Sequence, residues 1–386
     1  MAEADRPRRR HAAAPADASL PLPETVALVL QGGGALGSFQ AGVYGALADA
    51  DIPIDWVAGI SIGAVNAAII AGNPPERRVE RLQAFWDRVG SGQPAFPIWQ
   101  MGDLGREWLH ELSAALVTMT GVPGMFAPRF LPPNLMPPGC DAALSFYDTT
   151  PLRRTLDELV DWDLLNSGTT RLSVGAVEIK TGNFRFFDTT RERIDARHIM
   201  ASGALPPGLP PVEIDGCHYW DGGLVSNTPL THILGHQASD LLVFQVDLFS
   251  SANDLPHTIM DVMARAKEIQ FSSRTRQVSS LLLKQRNERQ AVARLLDKLP
   301  ADMAEDADVV ALRELTQDHS VNLVQLIYRA NAWEGGSRDY EFSARTMAEH
   351  MAAGRAAVAD TMTHSGVLAR NILDGQTAAF DLSRKN

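Results

Sequence analysis

Two strand–turn–helix signatures within fifty residues constrain this chain more than any other feature. The first reads "VALVLQGGGALGSFQ": an apolar run, Val26 to Leu30, ends in three consecutive glycines, with Gly37 three residues beyond them. The second reads "DWVAGISIGAVNAAII": a short apolar run ends in Gly59-Ile60-Ser61-Ile62-Gly63 and opens into an alanine-rich stretch. A short continuous apolar run reads as a buried parallel strand. The pattern predicts strands over Val26–Leu30 and Asp51–Ala58 and helices over Ser38–Ala48, Ile62–Ala71 and Glu76–Val89. Gly42 and Gly45 weaken an isolated helix and permit close packing, here expected against the sheet. Alternating strands and helices argue for an α/β layer fold.

Further strands are expected over Leu172–Glu178, Asn183–Asp188 and Leu241–Leu248. Between Gln93 and Gly139 the sequence is rich in Pro, Met and aromatics, as in a packed loop or a lid over an apolar channel. Beyond about residue 255 it becomes polar with helical spacing, apart from a strand-like Val321–Arg329. The expected organisation is a tail over 1–23, a catalytic domain over 24–250 with a lid within 93–139, and a mostly helical accessory region over 251–386.

Composition removes several classes of function. A net charge of −11 over 386 residues argues against nucleic-acid binding. Cys140 and Cys217 form neither a disulfide framework nor a metal motif, and His232 and His236 lack a third ligand nearby. No metal and no cofactor are expected. No apolar run reaches the ~18 residues of a membrane span, and the Arg-rich start lacks the apolar core of a secretory signal. A cytoplasmic protein is the expectation, with peripheral contact at lipid surfaces; Arg6, Arg8, Arg9 and Arg10 offer a local basic patch.

Gly59 to Gly63 is a Gly-x-Ser-x-Gly run in the setting of a nucleophile elbow, with Ser61 on the strand-to-helix turn. Flanking glycines remove side chains that clash in so sharp a turn. A serine nucleophile needs a base. Asp221, followed by Gly222 and Gly223, offers one; His218, His232 and His236 offer a conventional triad instead. The first glycine loop also satisfies Gly-x-Gly-x-x-Gly, the dinucleotide pattern, with Asp51 and Asp55 near the position of the acidic partner. It lacks the Gly-Lys-Ser/Thr of a P-loop. The third reading is an oxyanion hole. Ser61 decides for it, because successive turns of a parallel sheet emerge on one edge and bring glycines and serine together.

With these three motifs in order, the sequence resembles the patatin-like phospholipases: Gly32–Gly37, Gly59–Gly63 about 25 residues later, and a distant Asp221–Gly223. The resemblance spans roughly Thr25 to Phe249 and includes "ASGALPPGLPPVEIDGCHYWDGG". It implies a three-layer fold with a mainly parallel central sheet between helices. It implies a Ser61–Asp221 dyad, with the amides of Gly32, Gly33 and Gly34 as the oxyanion hole and Gly37, Gly59, Gly63, Gly222 and Gly223 in support. The implied activity is lipid acyl hydrolysis through an acyl-enzyme. Acyl transfer or hydrolysis of other esters would use the same dyad, and nucleotide binding is the remote alternative. Many members carry Arg or Lys before the last glycine of the loop; this chain has Leu36. Acyl chain, headgroup and oligomeric state are not legible.

Overall fold

The computed structural model describes residues 20–92, 103–251, 255–256, 258–316, 319–330, 334 and 336–382. The expected tail over 1–23 lies almost wholly outside them, as does the first part of the expected lid, 93–102.

The first strand, β1 (Thr25–Leu30), leads through the glycine loop into α1 (Gly37–Asp49). Then come β2 (Trp56–Gly59), α2 (Ile62–Ala71), α3 (Pro75–Gly90) and α4 (Asp103–Thr120). A small ribbon of β3 (Ala127–Pro128) and β4 (Tyr147–Asp148) precedes α5 (Thr150–Leu159) and α6 (Trp162–Leu165). The sheet continues with β5 (Arg171–Glu178) and β6 (Phe184–Asp188), then α7 (Ala196–Ser202), β7 (Val212–Ile214), β8 (Cys217–Asp221), α8 (Leu230–Gly235) and β9 (Leu241–Asp247). The C-terminal third holds α9 (Ile259–Leu296), α10 (Ala307–Leu315), β10 (Val321–Ile327), α11 (Ala344–Met362), α12 (Ser365–Leu373) and β11 (Ala378–Phe380).

The second strand is shorter than the expected Asp51–Ala58. Asp51 and Ile52 instead turn back on the end of α1, donating to the carbonyls of Ala48 and Leu47 at 3.1 and 3.0 Å.

Strand order is β11-β10-β9-β1-β2-β5-β8-β7, with β6 also paired to β5. The run from β11 to β5 is parallel; β6, β7 and β8 pair antiparallel. On β1, Val26, Leu28 and Leu30 enter the core beneath α1, α2, α3 and α11, while Ala27 and Val29 enter a second core under α8. Alternation at period two therefore fills both faces, which makes three layers.

The C-terminal third is not confined to a helical layer. It adds β10 and β11 to the central sheet, β10 pairing with β9 over seven residues. It also supplies α11, which packs on α1. A Cβ on Gly42 would meet the Met351 carbonyl oxygen at 2.0 Å, and one on Gly354 the Phe39 carbonyl oxygen at 2.2 Å. Gly42 thus serves a helix–helix contact and not the sheet packing expected. Among the described residues no helix is long and apolar enough to cross a membrane.

Candidate active site

The register of the sheet brings the separated motifs to one height. Leu30 pairs with Gly59, so the glycine loop and the turn at Ser61 leave the sheet side by side. Gly59 pairs with Val174, and two positions further along β5 Ala176 pairs with Asp221. Asp221 therefore sits level with Ser61 although it arrives on an antiparallel strand. The chain crosses to β2 on one side of β1 and returns through β9 on the other. The crevice at such a reversal of strand order, outside the carboxyl ends of the strands, is where open α/β sheets bind ligands.

Ser61 caps α2 with φ 55° and ψ −125°, a left-handed conformation that side chains other than glycine rarely adopt. Its surroundings force the glycines beside it: a Cβ on Gly59 would lie 2.2 Å from the Gly63 carbonyl oxygen, and one on Gly63 2.3 Å from that of Leu30. The Ser61 N–H donates to Ser202 Oγ at 3.1 Å, and Ser202 Oγ donates to the Gly175 carbonyl at 2.7 Å. That relay pins the strained turn to β5.

Asp221 is buried, and its carboxyl is pushed up to about 6. Desolvation raises it; hydrogen bonding from the Ser61 side chain and the Gly223 N–H, the latter at 2.7 Å, pulls it partly back. Gly222 lies against β5, where a Cβ would meet the Gly175 carbonyl oxygen at 2.6 Å.

The three glycine amides are not equivalent. Gly32 N–H donates to the Asn227 carbonyl at 3.2 Å, so the expectation of three free donors fails there. No acceptor for the Gly33 or Gly34 N–H stands among the described residues. Gly34 has φ 57°, and the Asp339 backbone carbonyl rests against it, 2.3 Å from where a Cβ would be. Gly37 admits Ile62 and Trp86 at the start of α1.

Buried amide side chains hold these loops, and motif reasoning missed them. Asn227 Nδ2 donates to the Gly32 carbonyl at 2.8 Å, completing a two-way clamp. Gln31 Oε1 accepts from Leu248 N and Phe249 N at 2.6 and 3.2 Å. Asn66 Nδ2 donates to Gln40 Oε1 and the Gly37 carbonyl, both at 2.9 Å, and Gln40 Nε2 donates to the Gln31 carbonyl at 2.6 Å. The available signal was a polar Asn66 inside an otherwise apolar helix.

Ser61, Asp221 and Gly32 to Gly34 all line one cavity of about 210 Å³. Ile62, Val65, Met125, Phe126, Leu152 and Phe342 make much of its wall apolar. Met125 and Phe126 come from the segment expected to form a lid, and Leu205 to Leu209 from the proline-rich stretch before Asp221. A larger cavity of about 370 Å³ between α1, α3 and α11 contains no serine or cysteine.

The histidines considered as bases lie elsewhere. His232 Nε2 contacts Asp188 Oδ2 at 3.0 Å, His236 Nδ1 accompanies the His232 carbonyl at 2.9 Å, and His218 faces Glu213; none lines the cavity. The acidic partner required for dinucleotide binding is also misplaced. Asp51 and Asp55 precede β2, and Asp55 Oδ2 accepts from Val26 N at the opposite edge of the sheet. Among the described residues no group of three His, Cys, Asp or Glu could hold a metal ion.

Comparison with known proteins adds the following. The family model described as "Patatin-like phospholipase" matches residues 28–234, and a second, described as "Patatin phospholipase", matches residues 269–372. "Lysophospholipase nte1" of Aspergillus terreus is 26% identical over 241 residues, 62% of this chain and 13% of that protein. "Patatin-like phospholipase domain-containing protein 7" of Rattus norvegicus is 26% identical over 226 residues, 58% of this chain and 14% of that protein. The chain thus spans about an eighth of the length of the curated relatives it matches. VipD from Legionella pneumophila, a solved structure, aligns at 16% identity and a TM-score of 0.36 over 86% of this chain and 67% of that one.

Proposed function

The chain belongs to the patatin-like phospholipase family, and from that premise we propose that it is a serine lipid acyl hydrolase working through a Ser61–Asp221 dyad. The carrying observation is the meeting of Ser61 on a strained helix cap with a desolvated Asp221 carboxyl inside an apolar cavity. Ser61 Oγ attacks the ester carbonyl while Asp221 takes its proton. The amides of Gly33 and Gly34 receive the oxyanion, and Gly32 holds the loop in shape. Collapse of the tetrahedral intermediate breaks the C–O bond, and Asp221 returns the proton to the departing alcohol. Water then attacks the acyl-enzyme, Asp221 again accepting a proton, and Ser61 leaves as the hydroxyl. An aspartate of ordinary pKa is a feeble base; one poised near 6 is matched to work near neutrality.

The apolar wall suits a fatty acyl chain, and the lysophospholipase names of the relatives fit a lipid ester. Acyl transfer would share every step up to the acyl-enzyme. Nucleotide binding fits poorly, since the Asp339 backbone carbonyl stands against Gly34, where a pyrophosphate would approach the loop.

A fluorophosphonate probe, read by intact mass, should label the native protein once and fail on Ser61→Ala. Turnover of a monoacyl phospholipid should fall by at least about a thousandfold in Ser61→Ala and in Asp221→Asn, both folded. Equal labelling of Ser61→Ala would remove the nucleophile, and full turnover by Asp221→Asn would remove the base.

A further inference from the structure

Leu36 is buried in the core and does not line the cavity, so the glycine loop brings no cation to it. A positive charge nevertheless reaches the site from a distant part of the chain. Lys267, on α9, is the single cation among the described residues lining the cavity. Its ammonium pairs with the Asp339 carboxylate and stands 5.3 Å from the centre of the Tyr340 ring. Both Asp339 and Tyr340 line the same cavity. The Asp339 backbone lies against Gly34, which puts this ion pair beside the glycine loop. Neither partner is fully enclosed: the Lys267 side chain is 34% exposed and that of Asp339 11%.

We propose that Lys267, Asp339 and Tyr340 form a headgroup subsite that selects lipids with zwitterionic phosphate headgroups. The inference rests on the acyl hydrolase reading of the same cavity. Its physics is an exchange of partners. A headgroup carrying a phosphate and an ammonium can place the phosphate on Lys267 and the ammonium on Asp339. Both charges stay paired: Lys267 donates a charge-assisted hydrogen bond to the phosphate, and the headgroup ammonium meets the Asp339 carboxylate as an ion pair. The Tyr340 ring, which already faces an ammonium, offers a second contact for the incoming cation. A purely anionic phosphate gains Lys267 and strands Asp339, whose carboxylate would then stand near the substrate phosphate and repel it. A neutral alcohol leaves the Lys267–Asp339 pair undisturbed and gains nothing from it. The site therefore ranks headgroups zwitterionic, then neutral, then anionic.

The test measures kcat/KM on three lipids of one acyl chain: a lysophosphatidylcholine, a monoacylglycerol and a lysophosphatidic acid. The native protein should follow the order above. Lys267→Met should lower the lysophosphatidylcholine value about tenfold more than the monoacylglycerol value, whereas Lys267→Arg should largely restore it. Asp339→Asn should invert the preference, raising the anionic substrate above the zwitterionic one. An unchanged circular-dichroism spectrum certifies the fold of each variant. Parallel losses on all three lipids, or a headgroup order indifferent to both substitutions, would overturn the proposal. Activity that survives Ser61→Ala would instead overturn the hydrolase reading, so the two failures are told apart.

Discussion

At the scale of single residues, the proposed chemistry turns on the environment of one carboxyl. Asp221 holds its proton up to about pH 6 because burial removes the water that would stabilise its charge. As a base it must first lose that proton. The logarithm of kcat/KM should therefore climb with pH, about tenfold per unit, to a plateau above about 6. Asp247 checks the assignment: it is also buried, its carboxyl is pushed up to about 7, and it does not line the cavity. Asp247→Asn should leave the kinetic midpoint where it is, and a midpoint that disappears with Asp247 would refute the role of Asp221. Stability runs the other way with pH. The folded state holds the Asp221 proton more tightly than the unfolded chain, where the value returns to near 3.8, so stability falls as pH rises through that window and the full cost persists above about 6. That cost is on the order of 3 kcal/mol, taken from a shift of roughly two pKa units. Asp221→Asn should accordingly raise Tm at pH 8 and change it little at pH 4. A lower Tm at pH 8 would mean that the carboxylate is stabilised by contacts other than those described.

At the scale of elements, the small residues of α1 and α11 set how closely two helices approach. Gly42 and Gly354 each meet backbone oxygen of the other helix at distances no Cβ tolerates. Gly42→Ala should push α11 outward and cost about 1–3 kcal/mol or more, read as a shift in the urea midpoint. Gly354→Ala should do the same. Because one outward shift of α11 relieves both clashes, the double variant should cost clearly less than the sum of the singles; strict additivity would show that the two contacts relax independently. This interface also marks the limit of what the sequence discloses. The glycines of α1 announce a close approach, but helical periodicity does not say to which layer, and the sheet was the wrong choice. By contrast, the glycine loop, the turn at Ser61 and helix α2 over Ile62–Ala71 are legible because each is specified within a few residues. What escapes sequence reading is specified across distance. Asn227 grips Gly32 from 195 residues away, and Lys267 finds Asp339 from 72. Neither lies in a local motif, so only the fold reveals them. The strand character of Val321–Arg329 could be read, but its partner could not, since pairing with β9 depends on a register written nowhere nearby.

At the scale of the whole molecule, the question is whether the C-terminal third is an accessory or part of the same folding unit. The residues matched by the two family models meet in one sheet and one cavity. Every residue of β9 is buried, and β10 covers its full length on the side away from β1. Removing the chain after residue 256 would bare a seven-residue, mostly apolar edge, the kind of strand that pairs with other copies and aggregates. It would also strip α11 from α1, uncovering Phe39 and Val43, which belong to the main core. The cavity would lose Phe271, Phe342, Lys267, Asp339 and Tyr340, leaving the glycine loop open to water on that side. Water there would screen the amides offered to an oxyanion and let the Asp221 carboxyl return towards its ordinary value. Two results are therefore expected together. The full chain should unfold in one transition, with fluorescence and circular dichroism coinciding. The chain ending at residue 256 should be aggregated or unfolded and should not react with a fluorophosphonate. A soluble 1–256 chain labelled at Ser61 at the native rate would show instead that the catalytic fold is complete without the C-terminal strands, and that their pairing with β9 was added to a sheet already stable alone.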